Sequence, residues 1–124
     1  MKILPNEYEL LALFESEPVL RDRQTKNLPF YYNEATYRFS NGEESFVVIM
    51  EPAYGEVKIQ VNQKSTTRLI TRLDLKRVDK FEIIADTKNF SSILLTTAND
   101  GDLQTIEIEF KPSFKLILQD HIER

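Results

Sequence analysis

The chain has no cysteine, only three glycines and a single histidine. Lack of cysteine excludes a disulfide framework, a cysteine-based zinc site and a cysteine nucleophile. His121 stands close to the end of the sequence, where chains fray, and is poorly placed for a Ser–His–Asp arrangement. With one histidine and no thiol, a zinc site lacks its usual ligands. The glycines, Gly42, Gly55 and Gly101, are far apart, so no glycine-rich loop cradles a phosphate. No apolar run approaches the length of a membrane span. The opening "MKILPNEYEL" reaches Pro5, Asn6 and Glu7 after two apolar residues and so lacks the apolar core of a signal peptide. These absences predict a cytoplasmic protein with no membrane segment and no cofactor.

What is present is ordinary for a globular chain: 124 residues, 41% hydrophobic and 29% charged, the length of a single domain spanning 1–124. The net charge is −4, unevenly spread. Residues 64–80, "KSTTRLITRLDLKRVDK", hold six Lys or Arg (Lys64, Arg68, Arg72, Lys76, Arg77, Lys80) against Asp74 and Asp79, which leaves −8 on the remainder. Nucleic acid rewards clustered positive charge, so an acidic body argues against it as partner. A basic protein suits such a body better, because complementary fields speed and orient encounter. The plainer account is that most of these charges are solvated strand faces.

The first thirty-five residues read as a helix and a connecting segment. Asn6 and Glu9 have capping-box spacing. Tyr8, Leu11 and Phe14, with Leu10, give a helical stripe that Pro18 stops, so a helix is predicted over 6–16. Residues 21–29 are polar and linker-like. From Tyr37 the period becomes two: "EVKIQVN", "IEIEF" and "FKLIL" alternate apolar with polar, although Ile117 breaks the pattern in the last. Alternation of this kind marks antiparallel strands with one buried face. Strands are predicted at 36–40, 45–51, 56–63, 68–75, 80–86, 91–98 and 103–111, with an eighth at 113–119. The segment 68–77 could also be helical, since Arg68, Arg72 and Lys76 recur every four residues. The expected fold is α+β, mainly β: an antiparallel meander over 36–120 forming a sandwich or strongly bent sheet, with the short helix packed on one side or end.

Hairpin register can be read from the turns. In "ANDGDLQTIE" the residues tolerate turn angles, and a four-residue loop 99–102 pairs Ala98 with Leu103, Leu95 with Ile106 and Ile93 with Ile108. A calcium loop would need oxygen ligands where Thr96 and Ala98 stand, and would break two good strands. A three-residue loop 111–113 pairs Ile108 with Leu116 and sets Glu109 opposite Lys115. Asn41-Gly42 is another hairpin signal, placing Tyr37 across from Phe46. "EPAYGE" is a wider loop, turning on Pro52 and Gly55. Ile59, Leu95, Ile108 and Leu116 are expected in the core.

Catalysis needs a nucleophile with a base, a tuned acid pair or a metal. The close acid pairs, Glu43/Glu44 and Glu107/Glu109, fall in a turn and on a wet strand face, where solubility and edge protection account for them. The unusual local feature is "PFYYNEATYRF". Core packing at an open end of the sheet explains most of these rings. A partner surface is the alternative, with Tyr31 and Tyr32 as the exposed pair. Only Lys26 and Arg38 supply positive charge beside it, too little for a single-stranded nucleic-acid groove.

A small, acidic, cysteine-free domain without catalytic residues is similar in profile to the immunity proteins of bacterial toxin systems. That resemblance implies a non-catalytic inhibitor of a basic protein partner, with Tyr31, Tyr32, Glu43 and Glu44 as candidate contacts. The alternatives are a β-sheet carrier of a small apolar ligand, followed by an enzyme.

Overall fold

The structure, a computed structural model, describes residues 1–21 and 29–121. Most of the segment 21–29 read as a linker lies outside the described residues. Helix α1 (Glu7–Phe14) is followed by a two-residue strand β1 (Val19–Leu20), then β2 (Ala35–Ser40), β3 (Glu44–Glu51), β4 (Glu56–Gln63), β5 (Leu69–Leu75), β6 (Val78–Asp86), β7 (Ser91–Asn99), β8 (Asp102–Lys111) and β9 (Lys115–His121). All strand pairs within the sheets are antiparallel, but the meander breaks once. Strands β1-β2-β3-β4-β5 form one sheet and β6-β7-β8-β9 a second. The expected α+β, mainly β architecture is present, with its strands divided between two sheets. The break falls at Lys76-Arg77, where a link of hairpin length joins strands that do not pair; Arg77 adopts a left-handed φ of 60° there.

The helix starts as its sequence requires. The Asn6 side chain accepts from the Glu9 backbone N–H at 2.8 Å, and the Asn6 N–H donates to Glu9 Oε1 at 3.1 Å. Its buried face corrects the stripe expected above. Leu10, Leu13 and Phe14 are buried, whereas Tyr8 is 83% exposed and Leu11 also faces solvent. In so short a helix, two apolar sets share the spacing, and the choice falls to what the helix packs against, β2 and β6. Residues 2–3 then run along the edge of β6: Ile3 bridges Lys80, and the Phe81 N–H donates to the Ile3 carbonyl at 2.9 Å. That contact covers a strand edge that would otherwise be open.

One core fills the space between the sheets and the helix. Ile59, Leu95 and Ile108 are buried as expected. Leu116 is only partly buried, and Leu118, on the same face of β9, is 55% exposed. Both lie on an edge strand, with no further strand beyond it among the described residues. A ring cluster joins the three layers. Phe14 of the helix lies 4.7 Å from Tyr37 and 4.8 Å from Phe39, and Phe110 of the second sheet lies 5.1 Å from Phe39 and 5.2 Å from Phe46.

The register of the last two hairpins is as read from sequence. Ala98 pairs with Leu103, Leu95 with Ile106, Ile93 with Ile108, Ile108 with Leu116 and Glu109 with Lys115. The 99–102 turn is tighter than a four-residue loop: Asn99 pairs with Asp102, and Asp100 and Gly101 both take positive φ, 50° and 88°. The 41–44 turn departs from expectation. Tyr37 pairs with Val48, and Phe39 with Phe46. The Asn41 Oδ1 accepts from the N–H groups of Glu43 and Glu44, at 2.8 and 2.6 Å, and this wider turn shifts the register by two without changing the buried face.

Gly55 holds the ends of the two sheets together. Its φ is 65°, and a Cβ there would stand 2.9 Å from the Val78 carbonyl oxygen. The Val78 N–H donates to the Gly55 carbonyl at 2.8 Å. Gly55→Ala must strain the backbone and separate this contact, so a loss of about 1–3 kcal/mol is expected in urea unfolding. An unchanged midpoint would mean that the approach is loose.

Candidate partner-binding surface

Antiparallel order puts the start of β2, the end of β3, the start of β4 and the end of β5 at one end of the five-stranded sheet. Two short 3-10 turns sit there, Phe30–Tyr32 before β2 and Pro52–Tyr54 between β3 and β4, and they pack on one another. The aromatic segment divides at this point. Tyr37 is buried, and Phe30 and Phe39 pack against the core. Tyr31 is half-buried; its hydroxyl accepts from the Met1 amine at 3.1 Å and donates to the Met1 carbonyl at 3.3 Å. The same amine donates to the Pro52 carbonyl at 3.0 Å, so Tyr31 helps tie the two turns together. Tyr32 packs edge-on to Tyr31 at 5.3 Å and is 64% exposed. Tyr54, which the sequence reading did not single out, is 73% exposed on the adjoining turn. Its signal was weak, since it lies in a loop remote in sequence from the aromatic cluster.

Carboxylates gather beside these rings. Glu34 follows the first turn, Glu51 precedes the second and Glu56 follows it. Arg21 lies 3.6 Å from Glu34 and 4.0 Å from Glu51. One guanidinium does not neutralise them. The Glu51 carboxyl is pushed above the ordinary carboxylate range, first by a hydrogen bond with Glu34, then by burial and by the charges of Glu34 and Glu56; Arg21 offsets this in part. A carboxyl whose folded pKa is raised stabilises the fold only while protonated. That contribution is lost as pH rises from the unfolded pKa through the raised folded one. Glu51→Gln keeps a donor toward Glu34 and removes the charge. The expected result is a higher melting temperature at pH 7, with the difference closing below about pH 4. A variant less stable than the parent at pH 7 would contradict this charge assignment.

Glu43 and Glu44 are at the other end of β2, about 20 Å from Tyr32 by strand rise. The structure therefore does not bring the four candidate contacts together. Glu43 is exposed, but Glu44 is buried, with 8% of its surface accessible. Its Oε1 accepts from Asn41 Nδ2 at 2.9 Å and from the Phe114 N–H at 2.8 Å. Asn41 Nδ2 also donates to the Phe110 carbonyl at 2.7 Å. The expectation of Glu44 as a free turn acid is thus corrected: this turn needs a buried acceptor to join it to the β8–β9 hairpin.

Glu107 and Glu109 lie on the outer face of the second sheet, as the alternation requires, in register with Leu94 and Ser92 on one side and Ile117 and Lys115 on the other. Burial and the nearby Glu7 push the Tyr37 hydroxyl up to about 12, so it stays neutral at physiological pH. Among the described residues no group of three or more His, Asp or Glu is placed to hold a metal ion. No described helix is long and apolar enough to cross a membrane. The interior that a carrier of apolar ligands would keep open is filled by Phe14, Tyr37, Phe46, Phe81 and Phe110.

No protein-family model matches the chain, and no curated protein does. Among solved structures, the fold is similar to a chain of a contact-dependent growth inhibition toxin–immunity protein complex from Klebsiella pneumoniae 342. The two are 22% identical, the match covers 97% of this chain and 97% of that one, and the TM-score is 0.74. A likeness at that identity defines a shared fold.

Proposed function

We propose that this chain is an immunity-type inhibitor, a non-catalytic cytoplasmic protein that binds and neutralises a basic protein toxin, without nucleic acid or cofactor. The observation that carries this reading is the fold likeness over 97% of the chain to a component of a toxin–immunity protein complex. The site's chemistry agrees with it. Exposed Tyr32 and Tyr54 offer large, rigid contact area of the kind that anchors protein interfaces. Glu34, Glu51 and Glu56 carry surplus negative charge beside them, which a cationic partner would relieve. Tyr31 holds the turn, and Glu43, at the far end, contributes to the long-range field rather than to the anchor.

The test uses the protein encoded by the adjoining gene. Expressed alone in a bacterial host, it should arrest growth; expressed with this chain, growth should resume. The purified pair should associate more slowly as salt rises, because steering is screened beyond about 8–10 Å at physiological ionic strength. Arrest without relief, together with no complex at micromolar concentration, would refute the proposal.

A further inference from the structure

The sandwich is open on one side, between the end of β5 and the far end of the second sheet. A cleft of about 840 Å³ lies there. Asp74 and Leu75 of β5 form one wall, and Asp102 of β8 and Asp120 of β9 stand on the other, with Asp100 at the β7–β8 turn. None of these four aspartates has an ion pair or side-chain hydrogen bond among the described residues. Two cations, Lys76 and Arg77, share the cleft, and Arg77 is taken up by Asn99 Oδ1 at 2.8 Å. The lining is therefore net acidic.

Beside the cleft, β5 ends the five-stranded sheet, and its outer edge has no strand partner among the described residues. It spans seven residues; Leu69 and Ile70 are exposed, and Leu73 and Leu75, facing inward, are only partly covered. Arg72 and Asp74 place charge on this edge, but its backbone remains unpaired among the described residues and can accept a further strand. The edge of β6, by contrast, is covered by residues 2–3.

We propose that this groove seats an extended basic segment of the protein partner. The segment's backbone adds to the five-stranded sheet beyond β5, and its Lys or Arg side chains meet Asp74, Asp102 and Asp120. This rests on the immunity-type reading and names the part of the partner that it receives. Backbone pairing at a free edge supplies affinity, and the side-chain positions along it supply specificity. The four aspartates of the cleft favour a cationic occupant over an acidic one at the Leu75 end of β5, so the basic side chains of the segment belong there and not beside Arg68 and Arg72. The groove also continues the surface already described. Tyr32, Tyr54 and the end of β5 stand at the same end of the sheet, spread over about 15 Å by strand spacing, within the reach of one standard-sized interface.

The experiment measures binding of the adjoining gene's protein to the whole chain and to three variants: Asp102→Lys with Asp120→Lys, Asp74→Lys, and Glu43→Lys at the opposite end. Each variant's melting temperature is measured alongside. The two groove variants should weaken binding by about thirtyfold or more, as expected for reversal of buried interfacial charge, and Glu43→Lys by about threefold at most. Amide exchange of the unmodified protein gives a readout that no variant can disturb: amides of Leu69–Leu75 on the free edge should slow in the complex. If the parent binds and the groove variants bind equally well, with β5 exchange unchanged, the groove is not the interface while the inhibitor reading stands. If the parent does not bind at all, both fall. Binding of a single-stranded RNA through Lys76 and Arg77 would overturn the charge argument.

Discussion

Phe110→Ala should remove a large part of the protein's stability. The ring is buried where three layers meet: it lies 5.9 Å from Phe14 of the helix and 5.1 and 5.2 Å from Phe39 and Phe46 of the first sheet. Truncation loses the transfer free energy of the ring and leaves a cavity whose walls belong to different elements, so collapse from one side opens a gap on another. Such changes cost about 3–5 kcal/mol, against a typical total of about 5–15 kcal/mol. Urea unfolding should show the midpoint falling steeply with little change in slope. Phe110→Leu, which refills most of the volume, should recover more than half of the loss. A cost for the alanine variant below about 1 kcal/mol would show that the three layers do not share this ring.

Asn41→Ala should come next, at about 2–4 kcal/mol, although Asn41 is a turn residue. Its amide nitrogen donates to the Phe110 carbonyl and to Glu44 Oε1, and its amide oxygen receives two backbone N–H groups. Alanine ends all four contacts and leaves the buried Glu44 carboxylate with fewer donors. Asn41→Asp separates the two halves of this role. It keeps the acceptor for the turn but loses both donors and sets a second carboxylate beside Glu44. It should therefore be at least as damaging as alanine. If Asp proved nearly neutral, the turn alone would matter and the tie between the sheets would not.

Legibility in the sequence followed how local the determining interactions are. The β7–β8 and β8–β9 pairings were readable because turn residues stand between two alternating segments, and a register slip would expose Ile106 and Ile108. The 41–44 turn was misread by two positions because Asn41-Gly42 has the look of a two-residue turn. The wider turn depends on Asn41 hydrogen bonds, one of which reaches Phe110 in the other sheet. The place where the strands divide between two sheets is hidden because Lys76-Arg77 has the length of a hairpin link. Strand β1 is two residues long, too short for any period. Within the candidate surface, local composition points to Tyr31 and Tyr32, of which only Tyr32 is exposed, whereas Tyr54 and the Glu34–Glu51 contact arise from strand order, which no single segment encodes. Glu44 was assigned to the surface because a turn is normally wet; its burial comes from a partner seventy residues away.

The central claim is that the end of the sandwich carrying Tyr32, Tyr54 and the end of β5, with the free edge of β5 that leads from it, receives a basic protein partner. Hydrogen–deuterium exchange on the complex with the adjoining gene's product measures this most directly. Slowed exchange in 29–34, 51–56 and 69–77, with 41–45 unchanged, is the predicted result. Protection confined to the 41–45 turn, or to β2 and β4, which bear Arg38 and Lys58 on the outer face of the first sheet, would contradict it.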